Sequence, residues 1–246
     1  MGSFSLCSNQ SQSLGVITPK EQVMAFKKYF LIGLFFLLSA CATATRPIPF
    51  QETNIITQEI YLQKKVNTSV VLLDVNWGRW WNCGGYENAQ LISLAFDKLP
   101  MKRFENEIEP SLVLNSPSRL MVDPVFQNYA FLLEPGEYCI SAISIKVADS
   151  MSKVGFLTEQ RDRLFTEGKP VGGTFIVKPD EAVFIGNFYL DCAYGPTLWR
   201  YYPEGKEAFG AQVKEYQNSF PFIELNNVNF RLFKTKVFGI DYKLEP

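Results

Sequence analysis

Histidine is absent from all 246 residues of the chain, and this absence excludes several classes of active site. Histidine is the usual proton shuttle near neutral pH and the commonest metal ligand. Neither a Cys-His catalytic pair nor a histidine-based zinc site can therefore be built from this chain. The sequence also lacks a Cys-x-x-Cys motif, so the usual thiolate metal sites are missing as well. We expect no metal, no cofactor and no enzymatic activity.

Positive charge is not in excess either. From Cys41 onward the chain has 21 Lys and Arg residues against 24 Asp and Glu residues, a net charge of −3. No basic stripe appears, so we expect no nucleic acid as a partner. Apolar residues make up 47% of the chain, which is ample for a packed core and excludes wholesale disorder.

A short leader with the composition of an export signal precedes the folded part of the chain. Lys27 and Lys28 come first, ten apolar residues follow at 29–38, and small residues end the leader. A membrane-spanning helix needs about 20 apolar residues, so residues 24–40 are predicted to be a cleaved secretory signal. The alternative is an uncleaved signal anchor, because the apolar run continues weakly beyond its end.

Leu38-Ser39-Ala40-Cys41 at the end of this leader resembles the lipobox of bacterial lipoproteins. The resemblance implies a diacylglycerol thioether on Cys41, cleavage before Cys41 and acylation of its new amino group. Stable anchoring takes at least two acyl chains, which this modification supplies. Ala42, rather than aspartate, follows the cysteine, and the sorting rule that the resemblance implies then favours the outer membrane. We expect a lipoprotein of the cell envelope, held on the bilayer by acylated Cys41.

The rest of the chain divides into three parts by composition. Residues 1–23 are polar and fit no part of an export signal, so Met24 is the predicted true start and 1–23 a mis-started or disordered extension. The alternative is a genuinely long leader. Residues 41–54 carry two prolines and are predicted to be a short, extended, lipidated tether. Residues 55–246 are predicted to form one β-sandwich domain.

Short apolar stretches separated by turn residues predict a mainly β domain. Residues 69–75 are apolar enough for burial on both faces, and 173–177 with 182–190 predicts a β-hairpin around Lys178-Pro179-Asp180. Residues 203–217 predict one late α-helix. The other predicted strands are 60–62, 90–96, 129–133, 137–147 and 228–237. We predict a single antiparallel β-sandwich carrying the late helix, after an N-terminal signal helix and the tether.

Phe131-Leu-Leu-Glu-Pro-Gly-Glu-Tyr138, and later Phe175-Ile-Val-Lys-Pro-Asp-Glu-Ala-Val-Phe-Ile-Gly186, resemble segments of uncharacterised envelope β-sandwich domains. Those domains carry a "leucine, Pro-Gly-x-Tyr" corner and a "proline, x-Glu, Tyr/Phe-Ile-Gly" hairpin. The resemblance covers roughly residues 125–192, and it implies the sandwich fold without any chemistry. Asp180 stands where those domains usually have glycine.

Export places Cys83, Cys139 and Cys192 in a compartment that permits disulfides, and three thiols allow three pairings. Cys139 lies near the start of one predicted strand and Cys192 at the end of another. If these strands are antiparallel neighbours, the two residues come within the ~5.5 Å Cα spacing of a bridge. We expect a Cys139–Cys192 disulfide, with Cys83–Cys192 as the alternative. Cys83 is not a credible nucleophile without a histidine.

Aromatic residues crowd two segments of the chain and are its candidate binding residues. The predicted patch consists of Trp77, Trp80, Trp81, Tyr86, Trp199 and Tyr201. Exposed together, these side chains would form a platform for a glycan, a partner protein of the envelope or the lipid interface. The alternative is that they pack as core.

We expect a membrane-anchored envelope lipoprotein that acts by binding or as part of an envelope assembly. The 21 Phe residues and the two aromatic clusters leave a carrier or sensor of a small apolar ligand as an alternative. Scattered Asp and Glu residues leave a carboxylate-dependent hydrolase of envelope polymers as another. A cavity would favour the carrier, and a pocket with two facing acids would favour the hydrolase.

Overall fold

The short apolar stretches of the sequence fold into two β-sheets that enclose one core. The computed structural model describes residues 50–101, 108–118, 123 and 125–233. The predicted extension, the signal peptide, Cys41 and the tether up to residue 49 lie outside these described residues. The prediction of a mainly β fold with a late helix is confirmed.

The described residues form thirteen strands and three helices. The strands are β1 (Ser69–Asn76), β2 (Arg79–Cys83), β3 (Tyr86–Leu99), β4 (Leu112–Asn115), β5 (Phe126–Leu133), β6 (Gly136–Ser150), β7 (Lys153–Glu159), β8 (Phe165–Thr166), β9 (Lys169–Pro170), β10 (Thr174–Val177), β11 (Ala182–Asp191), β12 (Thr197–Tyr201) and β13 (Val228–Phe230). The helices are α1 (Gln58–Lys64), α2 (Arg161–Leu164) and α3 (Gly205–Ser219).

The first sheet contains β12, β11, β1 and β5 in this order, and β13 also pairs with β11. β1 is parallel to β11 and antiparallel to β5, and β13 is parallel to β11. These two parallel pairs differ from the purely antiparallel sandwich that was predicted. Every residue of β1 is buried, as the mostly apolar run 69–75 predicts for a central strand covered on both faces.

The second sheet contains β10, β6, β3 and β2 in this order, with β4 also on β3 and β7 also on β6. All of its pairings are antiparallel. β3 and β6 are 14 and 15 residues long, so each carries two shorter strands along its outer side. β8 and β9 form a separate two-stranded sheet.

The core lies between the two sheets and takes side chains from both. Val71, Leu73 and Phe188 point inward from the first sheet, and Phe96 points inward from the second. The rings of Phe96 and Phe188 meet edge to face, with centroids 5.7 Å apart. Burying each such large apolar side chain contributes about 1.5–3 kcal/mol, so this cluster is the main source of stability.

α3 covers part of the outer face of the first sheet. Phe209, Val213 and Tyr216, spaced i, i+4 and i+7, pack with Leu72 and Phe184 of the sheet. The predicted late helix is confirmed, with both ends two residues later than expected. Among the described helices, none is long and apolar enough to cross a membrane.

The predicted β-hairpin around Lys178-Pro179-Asp180 is wrong, because its two strands belong to different sheets. β10 pairs with β6 in the second sheet, whereas β11 pairs with β1 in the first. Residues 178–181 therefore form an arch between the sheets. Asp180 has a φ of 54°, a left-handed conformation that favours glycine, and aspartate adopts it more easily than most residues. The Ser69 hydroxyl donates to the Lys178 carbonyl at 2.5 Å and fastens the arch.

Residues 60–62, predicted to be a strand, lie in α1 instead. Thr57 caps this helix, since its Oγ1 accepts a hydrogen bond from the Ile60 N–H at 3.2 Å. The Lys65 N–H closes the last turn on the Tyr61 carbonyl at 3.0 Å. An apolar triplet is too short for its spacing to distinguish a strand from a helix.

Residues 50–56 are fastened to both sheets. The Thr53 N–H donates to the Val113 carbonyl of β4 at 2.9 Å, and the Ile56 N–H donates to the Ala130 carbonyl of β5 at 3.0 Å. The segment thus joins an edge strand of the second sheet to an edge strand of the first. The predicted tether is corrected accordingly, because its last residues belong to the folded domain.

A candidate binding surface of aromatic side chains

Five partly exposed aromatic side chains lie along the outer face of the first sheet and its border with β2. This aromatic strip consists of Trp80, Phe126, Tyr189, Trp199 and Tyr201. Successive side chains of a strand point to opposite faces of the sheet. Phe188 and Leu190 point into the core, so Tyr189 between them points outward. Trp199 on β12 lies opposite Tyr189 in the strand register and shares its face.

Ring contacts join four of these side chains into a continuous line. The ring centroid of Tyr189 lies 6.3 Å from that of Trp80 and 5.8 Å from that of Tyr201. The centroids of Tyr201 and Phe126 are 5.5 Å apart. The last two contacts are edge-to-face, an arrangement that aromatic pairs prefer. Tyr201 is 43% exposed and the others are half-buried, so part of each ring reaches solvent.

The structure brings together three residues of the predicted patch, Trp80, Trp199 and Tyr201. Trp77 is wrong as a binding residue, because it is fully buried in the core. Its indole Nε1 donates to the Tyr129 hydroxyl at 2.7 Å, so its polar atom is satisfied internally. For this residue the alternative of core packing holds.

Tyr86 and Trp81 do not join the strip either. Tyr86 and Trp80 are both half-buried and pack against the core, but it is Trp80 whose ring contacts Tyr189 of the strip. Trp81 is 53% exposed, but neighbours along a strand point to opposite faces, so it lies on the other side of β2 from Trp80. The Arg79 guanidinium lies 5.6 Å from the Trp81 ring centroid. Trp81 is therefore an exposed ring separate from the strip.

Tyr189 and Phe126 belong to the strip although sequence reasoning did not single them out. Tyr189 lies in the predicted strand 182–190, at a position that alternates with inward-pointing residues. That alternation was a usable signal. Phe126 precedes the stretch 129–133 in which a strand was predicted, so no signal of this kind was available for it.

Two buried N–H groups at the strip have no hydrogen-bond partner in the structure: Trp80 Nε1 and Asn187 Nδ2. Asn187 is 1% exposed and lies opposite Tyr201 in the strand register. A buried donor left unpaired costs about 1–3 kcal/mol, so such groups usually find an acceptor in water or in a ligand. Both atoms are buried, so they lie beneath the strip, and the exposed part of the strip is aromatic.

The chemistry of the strip must be interpreted from its own geometry. No protein family, curated protein sequence or solved structure matches this chain. The residues, their contacts and their burial therefore carry the functional argument.

Asp74 lies beneath α3 and next to the strip. The Tyr216 hydroxyl and the Gln212 amide donate to its two carboxyl oxygens. Burial raises the pKa of Asp74 to about 7, the nearby Glu215 charge adds to this, and the two hydrogen bonds oppose it. Burial, followed by the charges of Asp74 and Glu215, also raises the pKa of Tyr201. Since Asp74 is 2% exposed, it holds α3 on the sheet and does not reach a ligand.

The disulfide joins Cys83 to Cys192, with Cα atoms 4.5 Å apart, so the expected Cys139–Cys192 bridge is wrong. Cys139 lies on β6 of the second sheet, whereas Cys192 follows β11 of the first, so the two are not on neighbouring strands. The bridge fastens the β2–β3 turn to the loop after β11. Gly84 in this turn has a φ of 57°, and a Cβ there would lie 2.2 Å from the Gly195 Cα. This close approach requires glycine.

Cys139 keeps a free thiol, which is buried beside an ion pair. Burial, with a further contribution from the Asp97 charge, raises the pKa of Cys139 to about 12. A thiol of this kind is inert, because its thiolate hardly forms. Arg161 binds both carboxyl oxygens of Asp97 at 2.6 and 3.1 Å, and both residues are buried. Such a pair is costly to break by removing one partner, and so it has a structural role.

Two cavities bear on the alternative functions. One of about 350 Å³, lined by Leu99 and Phe165 among others, contains one carboxylate, Glu137. The other, of about 460 Å³, lies along α3, and its lining mixes apolar side chains with lysines and amides. Neither holds two facing acids, so the hydrolase hypothesis gains no support from them. In the part of the chain that the structure describes, no cluster of three or more acidic or cysteine residues is suited to a metal ion.

Proposed function

We propose that this protein is a lipid-anchored lipoprotein of the cell envelope that binds a glycan through the aromatic strip. The observation that carries the proposal is the line of ring contacts on an outer sheet face. The acylated Cys41 implied by the lipobox would keep this surface at the membrane. Binding, rather than catalysis, is the proposed activity.

The chemistry of the strip favours a glycan over a purely apolar ligand. Sugar rings present C–H faces that pack on aromatic rings, and their hydroxyl and acetamido oxygens accept hydrogen bonds. An acyl chain would cover the Tyr201 hydroxyl without offering it a hydrogen-bond partner, at a cost of about 1–3 kcal/mol, whereas a sugar oxygen can accept a hydrogen bond from it. Successive rings lie 5.5 to 6.3 Å apart, a spacing comparable to the length of one sugar unit. An extended glycan strand meets these requirements.

Replacing Tyr201 or Tyr189 with alanine is expected to weaken glycan binding about tenfold, because each removes a stacking ring worth about 1.4 kcal/mol. The measurement is co-sedimentation of the purified protein with insoluble peptidoglycan at a series of concentrations. Trp81→Ala is the matched control, since Trp81 is 53% exposed but lies outside the strip. Equal loss in all three variants would mean that any exposed aromatic ring suffices, and unchanged binding in the tyrosine variants would reject the strip.

Acylation of Cys41 has its own test. Cells expressing the protein are labelled with palmitate, and the expected result is label on the wild type and none on Cys41→Ala. The wild type should also fractionate with membranes, because at least two acyl chains hold it there. A wild-type protein that carries no label and stays in the soluble fraction would contradict the anchor while leaving the glycan measurement intact.

A further inference from the structure

The cavity of about 460 Å³ along α3 is a groove with an apolar floor and a polar rim. Phe209 and Val213 of α3 form one side of the floor, and Leu225 and Val228 from the chain after the helix form the other. Leu225 is buried and the other three are half-buried. Ligand sites usually measure about 300–1,000 Å³ and combine apolar walls with a few polar groups. This α3 groove has the size and the lining of a binding site.

Gly210 stands at the middle of the α3 groove, where packing does not require a glycine. Glycine is the poorest helix former after proline, so a glycine inside a helix normally has a packing reason. Among the described residues, no heavy atom lies within 4 Å of the place where a Cβ of residue 210 would be. Gly210 nevertheless lines the groove. What glycine provides here is empty space above the helix backbone.

Two lysines flank this glycine on the same face of the helix. Lys206 and Lys214 lie four residues before and four residues after Gly210, and both line the groove. At 1.5 Å per residue they are about 12 Å apart along the helix axis. Neither forms an ion pair with a described residue, and no acidic side chain is among the described residues that line the groove. The groove therefore favours a ligand with two negative charges.

Carboxamide groups supply the rest of the rim. Gln217 belongs to α3, and Asn226 and Asn227 belong to the facing segment. Each carboxamide both donates and accepts hydrogen bonds, as each backbone peptide unit does. An acyl chain offers no hydrogen bond to this rim, whereas a peptide offers a C=O and, except at proline, an N–H at each residue. The rim therefore favours a peptide over a lipid.

We propose that the α3 groove binds an extended acidic peptide segment of a partner protein, with the pattern acid-x-apolar-x-acid. In an extended chain, residues i, i+2 and i+4 point to the same face and span about 13 Å, at about 3.3 Å per residue. This span matches the separation of Lys206 and Lys214, so the two acids pair with the two lysines. The apolar side chain between the acids occupies the space above Gly210. The α3 groove shares no residue with the aromatic strip, and the proposal does not rest on glycan binding.

Fluorescence anisotropy of labelled peptides with the full-length protein at low ionic strength tests the charge pattern. A peptide with the core Glu-Ala-Leu-Ala-Glu is expected to bind about tenfold more tightly than the same peptide with lysines in place of the glutamates, because each exposed ion pair contributes modestly. The double variant Lys206→Glu with Lys214→Glu is expected to reverse this preference. The proposal is overturned by a wild type that binds both peptides equally or neither, and by a double variant that keeps the wild-type preference.

The variant Gly210→Leu tests the apolar contact. Leucine is a better helix former than glycine and its side chain fills the groove. The variant is therefore expected to unfold at the wild-type temperature or above it, while the acidic peptide binds about tenfold more weakly. Ala211→Leu is the matched control, because residue 211 is exposed on α3 outside the groove, and it is expected to bind the peptide as the wild type does. Equal affinity of the two variants would reject the groove as the binding site.

Two further measurements separate this proposal from its neighbours. Vesicles of phosphatidylglycerol are expected not to displace the labelled peptide, and displacement would mean that the groove takes an anionic lipid headgroup instead. Co-sedimentation of Gly210→Leu with peptidoglycan is expected to equal that of the wild type. Loss of peptide binding with intact glycan binding, or the reverse, therefore shows which of the two proposals has failed.

Discussion

Replacing both Cys83 and Cys192 with serine is expected to lower the free energy of unfolding by about 4 to 5 kcal/mol. The bridge links residues 109 positions apart, so its removal frees a very large loop in the unfolded chain. The cost is also local, because the bridge holds the β2–β3 turn, with Gly84 packed on Gly195, against the end of β11. The measurement is denaturant unfolding of the oxidised protein.

Cysteine 139 provides the control for this experiment. Cys139→Ala removes a buried thiol that takes no part in the bridge, and is expected to cost about 1 kcal/mol. A reducing agent should destabilise the wild type and Cys139→Ala, yet leave the double serine variant unchanged. A double variant as stable as Cys139→Ala would show that the bridge contributes nothing.

The effect of Asp74→Asn on the free energy of unfolding is expected to depend on pH. It should be more favourable above pH 7 than below pH 4, by up to about 4 kcal/mol. The pKa of Asp74 is raised from 3.8 to about 7 in the folded state, chiefly by burial. Its contribution to stability is therefore fully present below pH 4 and is lost as the pH rises through about 7. Asparagine has the shape of aspartate but does not ionise. It can still accept the hydrogen bond from the Tyr216 hydroxyl. It can also bond to Gln212 if that amide rotates so that its oxygen accepts from the asparagine NH₂.

The difference in unfolding free energy between Asp74→Asn and the wild type should grow by about 2.5 kcal/mol from pH 5 to pH 8. Tyr216→Phe gives an independent comparison. In the wild type the Tyr216 hydroxyl donates to Asp74 and lowers the pKa of that carboxyl. The variant lacks this hydroxyl, so its Asp74 should titrate at a higher pH. A difference that stays constant with pH would mean that Asp74 ionises freely in the folded protein.

The fold class was predictable because it depends on local patterns. The run 69–75 is apolar except for Ser69 and Asp74, and this composition favours burial on both faces. The helix was predictable from Phe209, Val213 and Tyr216, whose spacing places them on one face. The corner residue Tyr138 also behaves as its motif indicates, because its hydroxyl donates to the Glu134 carbonyl at 2.8 Å and closes the turn.

Sheet membership was not predictable from those patterns. A turn such as 178–181 has the same composition whether it joins neighbours in one sheet or arches between two. The disulfide prediction failed for the same reason, since it assumed that the strands of Cys139 and Cys192 are neighbours. Strand partners depend on contacts between residues distant in sequence, and no local spacing encodes them.

The candidate site was predictable in part. Trp80, Trp199 and Tyr201 come together, but Trp77 points into the core because it continues the inward positions of β1. Buried acids such as Asp74 had no signal, because a single aspartate in an apolar run is compatible with a strand end or a bulge. Burial and hydrogen-bond partners had to be known before Asp74 could be distinguished from the surface carboxylates.

Phe50, where the described part of the chain begins, packs on the outer face of the second sheet. Cys41 and Phe50 are nine positions apart in the sequence, a distance of at most about 30 Å along an extended chain. The aromatic strip lies on the outer surface of the other sheet, and two packed sheets are about 10 Å apart. In the proposed anchored state, the segment that leads to Cys41 would therefore join the domain at Phe50, on the sheet opposite to the aromatic strip.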